Sequence, residues 1–265
     1  MAFEELKQRQ SVMWGYGSFE RLSDTAGEIY DALVAAVPPM AGERWLDVAC
    51  GTGAISERAA RGGADVVGID LAPGLIETAK RLAAERGLDI DYRVGDAENL
   101  DVGDGSFDTI SSSFGVMFAP DQARAAGELA RVIPPGGRLA LLTWTPEGGM
   151  GEMFRFSAPY QPPPAEGAGN PLDWGRPEHV EGLLGDAFEL SFEQGTSTFR
   201  VDSAEDYWQL LAANLGPMKT LLESMDDERR DEYHGAWVEF ADATWGADGC
   251  VEQPRGYLIT VGTRR

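Results

Sequence analysis

Residues 44–49 form a short apolar run that breaks at Cys50-Gly51-Thr52-Gly53 and passes directly into a helix-compatible segment, residues 54–61. This succession of strand, glycine turn and helix start constrains the fold more than any other feature. Apolar runs of about four to eight residues bounded by glycine suit strands buried on both faces, which need helices above and below them. The unit then repeats. Residues 65–69 form a second run ending at Asp70, and Pro73 suits the first turn of a helix that Gly87 closes. Residues 91–94 and 107–113 read as further strands, 121–132 as a helix halted by Pro134-Pro135-Gly136-Gly137, and 138–144 as a strongly apolar strand. Short buried strands alternating with helices specify a mostly parallel sheet covered on both faces, a doubly wound α/β fold.

The flanks are patterned less clearly. Residues 18–37 predict one amphipathic helix, with Leu22, Ala26, Ile29, Leu33 and Val34 near helical spacing and Pro38-Pro39 as its stop. Residues 146–174 are rich in proline and glycine, including Pro162-Pro163-Pro164, and predict a long surface loop. A short helix is expected over 178–184, extended chain over 189–200, helices over 203–215, 218–225 and 226–245, and a last strand over 255–263.

Charge narrows the partners. The 265 residues carry 44 acidic against 22 basic side chains, a formal net charge of −22, and Lys7, Lys80 and Lys219 are the sole lysines. A field of that sign repels phosphate backbones, so no nucleic acid is expected as partner, and it disfavours anionic membranes. No stretch approaches the roughly 18 apolar residues of a membrane span. The first ten residues are polar and lack a signal-peptide core, so no stable membrane insertion and a cytoplasmic location are expected. Cys50 and Cys250 are too few for a disulfide framework or a zinc cluster, and no metal is expected. No motif bears on oligomeric state.

Glycines after a buried strand let a ligand approach the backbone, and the following helix turns its free N–H groups toward it. Asp70, about twenty residues on, occupies the place where a carboxylate commonly takes the hydroxyls of an adenosine ribose. That pattern also serves NAD. Two features oppose a pyrophosphate: Ser56 replaces the third glycine of the dinucleotide fingerprint, and Asp47 puts a negative charge beside the turn. An NAD-linked oxidoreductase and a non-catalytic cofactor-binding protein of the same fold stand as alternatives.

Five segments in order resemble the motifs of class I S-adenosylmethionine-dependent methyltransferases: Asp47-Val48-Ala49-Cys50-Gly51-Thr52-Gly53, Val67-Gly68-Ile69-Asp70-Leu71, Gly95-Asp96-Ala97-Glu98-Asn99-Leu100, Phe107-Asp108, and Arg131 to Leu139 around Pro134-Pro135-Gly136-Gly137. Ser112-Ser113-Phe114-Gly115 is most similar to the branch containing the ubiquinone and menaquinone biosynthesis methyltransferases. The resemblance implies a Rossmann-like, mostly parallel seven-stranded sheet with an antiparallel last strand and a helical insertion, S-adenosyl-L-methionine as cofactor and a small-molecule methyl acceptor. It implies that Asp47, Thr52 and the backbone of Ala49, Cys50, Gly51 and Gly53 hold the methionine part. Asp70 would bind the ribose and Leu71 would lie against the adenine. Asp96, Ala97 and Glu98 would frame the adenine, and Ser113 would lie near the methionyl end.

The resemblance divides the single domain into an N-terminal lid and helix (1–40), a cofactor core (41–145), a loop and sixth-strand region (146–202), a helical insertion (203–248) and the last strand (249–265). Within the lid, Trp14 and Tyr16 would shield the sulfonium, whose charge favours an aromatic face. A sulfonium methyl is already activated, so the protein need mainly align the acceptor and exclude water. His234, beside the aromatic stripe Tyr233, Trp237, Phe240 and Trp245, is the candidate catalytic base, while His179 is expected to face solvent. Phe114, Met117, Phe118, Trp208 and Trp237 are candidates for an apolar acceptor pocket.

Overall fold

In the first half, helices at Ala54–Arg61, Pro73–Glu85 and Gln122–Val132 carry the chain back across the sheet between strands, residues 95–108 cross without one, and the strands so joined run parallel. The structure, a computed structural model, describes residues 3–265; Met1 and Ala2, which begin the 1–40 segment, lie outside the described residues. Helix α1 (Glu4–Trp14) comes first. It was not legible because its sequence is polar and its single buried residue is Lys7. Helices α2 (Phe19–Ser23) and α3 (Gly27–Ala36) follow, separated by a tight turn at Asp24–Ala26, where one continuous helix was expected.

The core then runs β1 (Arg44–Val48), α4 (Ala54–Arg61), β2 (Asp65–Asp70), α5 (Pro73–Glu85), β3 (Asp91–Val94), β4 (Thr109–Ser113), α6 (Gln122–Val132) and β5 (Arg138–Trp144). The expected long loop contains α7 (Gly149–Ser157). Its glycines serve close packing: a Cβ on Gly151 would stand 2.1 Å from the Pro146 carbonyl oxygen, and one on Gly149 would stand 2.5 Å from Gln253 Cγ. The remainder is α8 (Pro177–Leu184), β6 (Phe188–Val201), α9 (Ala204–Asn214), α10 (Gly216–Glu223), α11 (Asp227–Trp245), β7 (Gly246–Ala247) and β8 (Cys250–Arg264).

The strand order is β3-β2-β1-β4-β5-β8-β6. Strands β1 to β5 pair in parallel, and β8 lies antiparallel to both β5 and β6. Seven strands make this path, and the two-residue β7 adds a short antiparallel pairing to β8. The order reverses between β1 and β4, the place where doubly wound sheets bind ligands. Two large apolar clusters meet at Met150 and Phe154. One packs the sheet against its flanking helices; the other gathers Tyr207, Trp208, Tyr233, Trp237 and Trp245 from α9 and α11 around Met153 and Val251. Among the described residues no helix is long and apolar enough to cross a membrane.

Candidate functional site

The carboxyl ends of β1, β2 and β4 converge at the reversal of strand order, and a cavity opens above them. Its floor is the turn after β1, where Gly51 and Gly53 hold φ of +57° and +89°. The two glycines serve different ends. A Cβ on Gly53 would stand 2.1 Å from Tyr92 Oη, so Gly53 lets the turn pack on β3. A Cβ on Gly51 would meet nothing nearer than Phe19 Cε1 at 4.0 Å, and Gly51 faces the cavity. Ala49 and Phe114 adopt φ of +52° and +53° without glycine's freedom. Two such residues at the ends of neighbouring strands, both lining one cavity, concentrate backbone strain at the site. Gly115 permits the approach, since a Cβ there would fall 2.5 Å from Ala49 Cβ.

Asp47 is buried at the end of β1. Its Oδ2 accepts from Ser56 N at 3.0 Å and Ser56 Oγ at 2.7 Å, and its Oδ1 accepts from Ser111 Oγ at 2.8 Å. Ser56, the residue that departs from the dinucleotide pattern, thus ties β1 to α4. Burial pushes the Asp47 carboxyl up to about 6, against the pull of these hydrogen bonds. Burial likewise pushes the Cys50 thiol well above its ordinary range, which leaves it unreactive at the cavity wall.

Asp70 bridges the turn and the next helix: Gly51 N donates to its Oδ2 and Ala72 N to its Oδ1, both at 2.8 Å. Burial raises its carboxyl above the ordinary value despite those two donors. Leu71, Ala97 and Thr52 line the cavity with it. Asp96 lines it too, and its Oδ1 accepts from Glu98 N at 2.9 Å. The Ser113 hydroxyl is buried at the cavity wall with no partner within the protein.

Four expected site residues stand elsewhere. Gly53 lies under the turn. Glu98 is buried away from the cavity wall, where it accepts from Asp121 N at 2.7 Å and from Lys7 Nζ at 2.7 Å. Tyr16 is exposed, bonded to Glu223 with Lys219 over its ring, so it does not shield the cavity; Trp14 does line it, packed against Phe19 and Phe118. His234 is displaced from the candidate catalytic place: α11 turns it outward to Glu205 at 2.7 Å, with its ring on Trp208, and it is absent from the cavity wall. Trp208 and Trp237 belong to the second apolar core, and Met117 is buried in the first. His179 is half-buried and pairs with Gln122 Oε1 at 2.8 Å.

Beyond the turn the cavity widens into an apolar annex. Phe114 stacks on Trp144 with centroids 3.6 Å apart, and Met150, Met153, Phe154 and Leu211 face them from α7 and α9. Among the wall residues that had no place in the sequence reading are Lys7, Tyr30 and Arg255. Lys7 Nζ reaches Asp96 Oδ2 at 2.6 Å and Glu98 Oε2 at 2.7 Å, fastening α1 across the cavity mouth. Arg255 had a signal in β8, where Val251, Gln253 and Arg255 are buried at alternate positions and two of the three are polar.

A mostly parallel sheet with one inserted antiparallel strand and a cavity at its reversal is the architecture of the S-adenosylmethionine-dependent methyltransferases. Residues 46–141 match the family described as a methyltransferase domain, and the chain belongs to that family. Over 267 aligned residues it is 37% identical to an uncharacterized protein of Mycobacterium tuberculosis, covering 99% of this chain and 96% of that protein. Demethylmenaquinone methyltransferase of Thermus thermophilus is 42% identical over 119 residues, 43% of this chain and 53% of the relative. The crystal structure of a putative methyltransferase from Bacillus halodurans superposes with a TM-score of 0.61 at 20% identity, covering 88% of this chain and 97% of that one, a likeness of fold. Family membership sets the NAD-linked alternative aside: the protein is an S-adenosylmethionine-dependent methyltransferase.

The residues present fit that cofactor. The open side of Gly51 admits a ligand against the backbone, the buried Ser113 hydroxyl lacks a partner, and Asp70 and Asp96 stand at successive strand ends.

Proposed function

We propose that the protein methylates a small, largely apolar or aromatic acceptor held in the annex between β4–β5 and helices α7 and α9. The observation that carries this reading is the continuity of one cavity from Gly51, Asp70 and Asp96 to Phe114, Trp144 and Met153. Bound over the turn, S-adenosylmethionine supplies a methyl group already activated for displacement. The chain's part is then to orient and to exclude water. Asp70 takes the ribose hydroxyls, Asp96 and Ala97 the adenine edge, and Ser113 with the Ala49–Thr52 backbone the methionine moiety. Trp14 and Phe118 close the wall beside the sulfonium, and the Phe114–Trp144 stack offers a flat face to the acceptor. Among the described residues no histidine lines the cavity, and the Asp47 carboxylate is occupied by three donors, so alignment rather than a strong base governs turnover. The named acceptor class of the Thermus relative, a menaquinone precursor, agrees with an apolar, aromatic annex.

Calorimetry with S-adenosylmethionine tests the cofactor site, and binding to the folded protein is expected. Incubation with methyl-labelled cofactor and a metabolite extract, followed by mass spectrometry, identifies the acceptor; labelled product of low molecular mass is expected. A folded protein that fails to bind the cofactor overturns the reading.

A further inference from the structure

Among the described residues two basic side chains are buried, Lys7 and Arg255. Lys7 holds two carboxylates. Arg255 holds none. Its Nη1 donates to Thr25 Oγ1 at 2.9 Å and its Nη2 to the Thr25 carbonyl at 2.5 Å, while Nε is buried without an acceptor. Its remaining neighbours are neutral. Phe199 lies under the guanidinium at 4.9 Å, and the titratable groups beside it are the phenols of Tyr207 and Tyr30. Burial raises both phenols above their ordinary range, so neither supplies an anion. Tyr207 spends its hydroxyl on Gln253 Oε1, and Gln253 Nε2 is a second buried donor without an acceptor.

An unpaired buried guanidinium is costly, and burial pulls its proton affinity down. A residue needed only to clamp β8 to the Thr25 turn could have been a neutral amide. In a chain with twice as many acids as bases, a missing carboxylate partner is not a matter of supply. Arg255 lines the cavity, so the missing charge can come from a ligand.

We propose that the methyl acceptor carries a carboxylate that seats on Arg255. This rests on the reading of the cavity as a methyl-transfer site. Three N–H groups of Arg255 remain free after the two bonds to Thr25, among them Nε–H, which leaves one edge for a planar, singly charged group. Lys7, the other base on the cavity wall, is already neutralised, so a doubly charged phosphate finds no second cation. The register sets the scale. Ser113 pairs with Leu142 and Leu142 with Ile259, so Arg255 lies four residues further along β8, roughly 13 Å of strand rise beyond Ser113. The carboxylate is therefore an anchor at the far end of the acceptor, and Arg255 is a specificity-determining residue.

The test uses the full chain saturated with S-adenosylhomocysteine and titrated calorimetrically with benzoate, cinnamate and 2-naphthoate, each beside its primary amide, and with phenyl phosphate. The wild type is expected to prefer at least one carboxylate over its amide by about 10- to 100-fold. Arg255→Met should lose that preference and Arg255→Lys keep part of it, with S-adenosylhomocysteine affinity unchanged in both. Equal binding of acids and amides, no binding of any carboxylate, tighter binding of phenyl phosphate, or a preference that survives in Arg255→Met would each overturn the proposal. The wild-type comparison decides even if the methionine variant is unstable. Failure of the wild type to bind S-adenosylhomocysteine is a separate result and overturns the methyl-transfer reading instead.

Discussion

Asp47 illustrates how one carboxyl group can hold a site together at a cost to stability. Its ordinary value of 3.8 rises to about 6 in the folded chain, mainly through burial. The native state therefore binds a proton more readily than the unfolded state between those values. The stability linked to that proton is complete below pH 3.8 and is lost as pH rises through 6, a swing of roughly 3 kcal/mol. Asp47→Asn keeps an acceptor for Ser56 and does not titrate. Wild type should gain stability relative to this variant as pH falls from 7.5 to about 4.5 in thermal melts; a gap independent of pH would contradict the shift. Asp70 makes a different prediction because its two oxygens already hold Gly51 and Ala72. Asp70→Ala removes both the turn's tether and the ribose partner, and should weaken S-adenosylmethionine by about 1–3 kcal/mol in calorimetry.

At the scale of elements, α1 owes its place to polar and backbone contacts more than to a buried apolar face. Lys7 spans to the loop after β3, and Gly15 packs on Gly74 so closely that a Cβ on either would meet the other's backbone at 3.0–3.3 Å. Lys7→Met would leave Glu98 buried with a charge and no cation. It should cost roughly 3–5 kcal/mol in urea denaturation, with amide exchange rising first in α1. The same polar character explains why α1 escaped a sequence reading. The strands of the core are legible because burial on both faces turns them into apolar runs, and the turn at Gly51 is legible because backbone geometry demands glycine. Helix α1 writes neither signal: a buried lysine, Gln10 on the Phe118 carbonyl, Trp14 against Phe19 and Phe118, and close glycine contacts do its work. At the start of α7 the glycines at 148, 149 and 151 imitate a loop while serving close packing against Pro146, Gln253 and Gly256. His234 was drawn toward the site by the aromatic stripe beside it, yet one step around α11 separates the buried Tyr233 from the outward imidazole. Arg255 sits at a core position of β8, yet it is the first residue of the strand expected over 255–263, where no preceding alternation marks it as inward.

Over the whole molecule, charge poses a question that single contacts do not answer. Exposed pairs such as Arg44–Asp108, Arg81–Glu85 and Arg200–Glu252 favour the fold, each by about 0–1 kcal/mol, and salt weakens them. Against them stands the self-repulsion of a chain with net charge −22. With 44 acids and 22 bases, at least half the carboxylates lack a base even if every base were paired one-to-one. Salt screens this repulsion as well, since the Debye length falls from about 30 Å at 0.01 M to about 4–5 Å at 0.5 M. Repulsion acts among all the unpaired acids, whereas each surface bridge loses only its own small gain, so screening should win. The buried Lys7 pair lies out of reach of mobile ions and does not alter the sign. The melting temperature should therefore climb by a few degrees as sodium chloride rises from about 10 mM to 500 mM, with most of the gain at the dilute end where screening changes fastest. Scanning fluorimetry at fixed pH 7.5 reads this directly. A melting temperature that falls with salt would mean that the surface bridges, not the excess of acid, set the electrostatic balance of the fold.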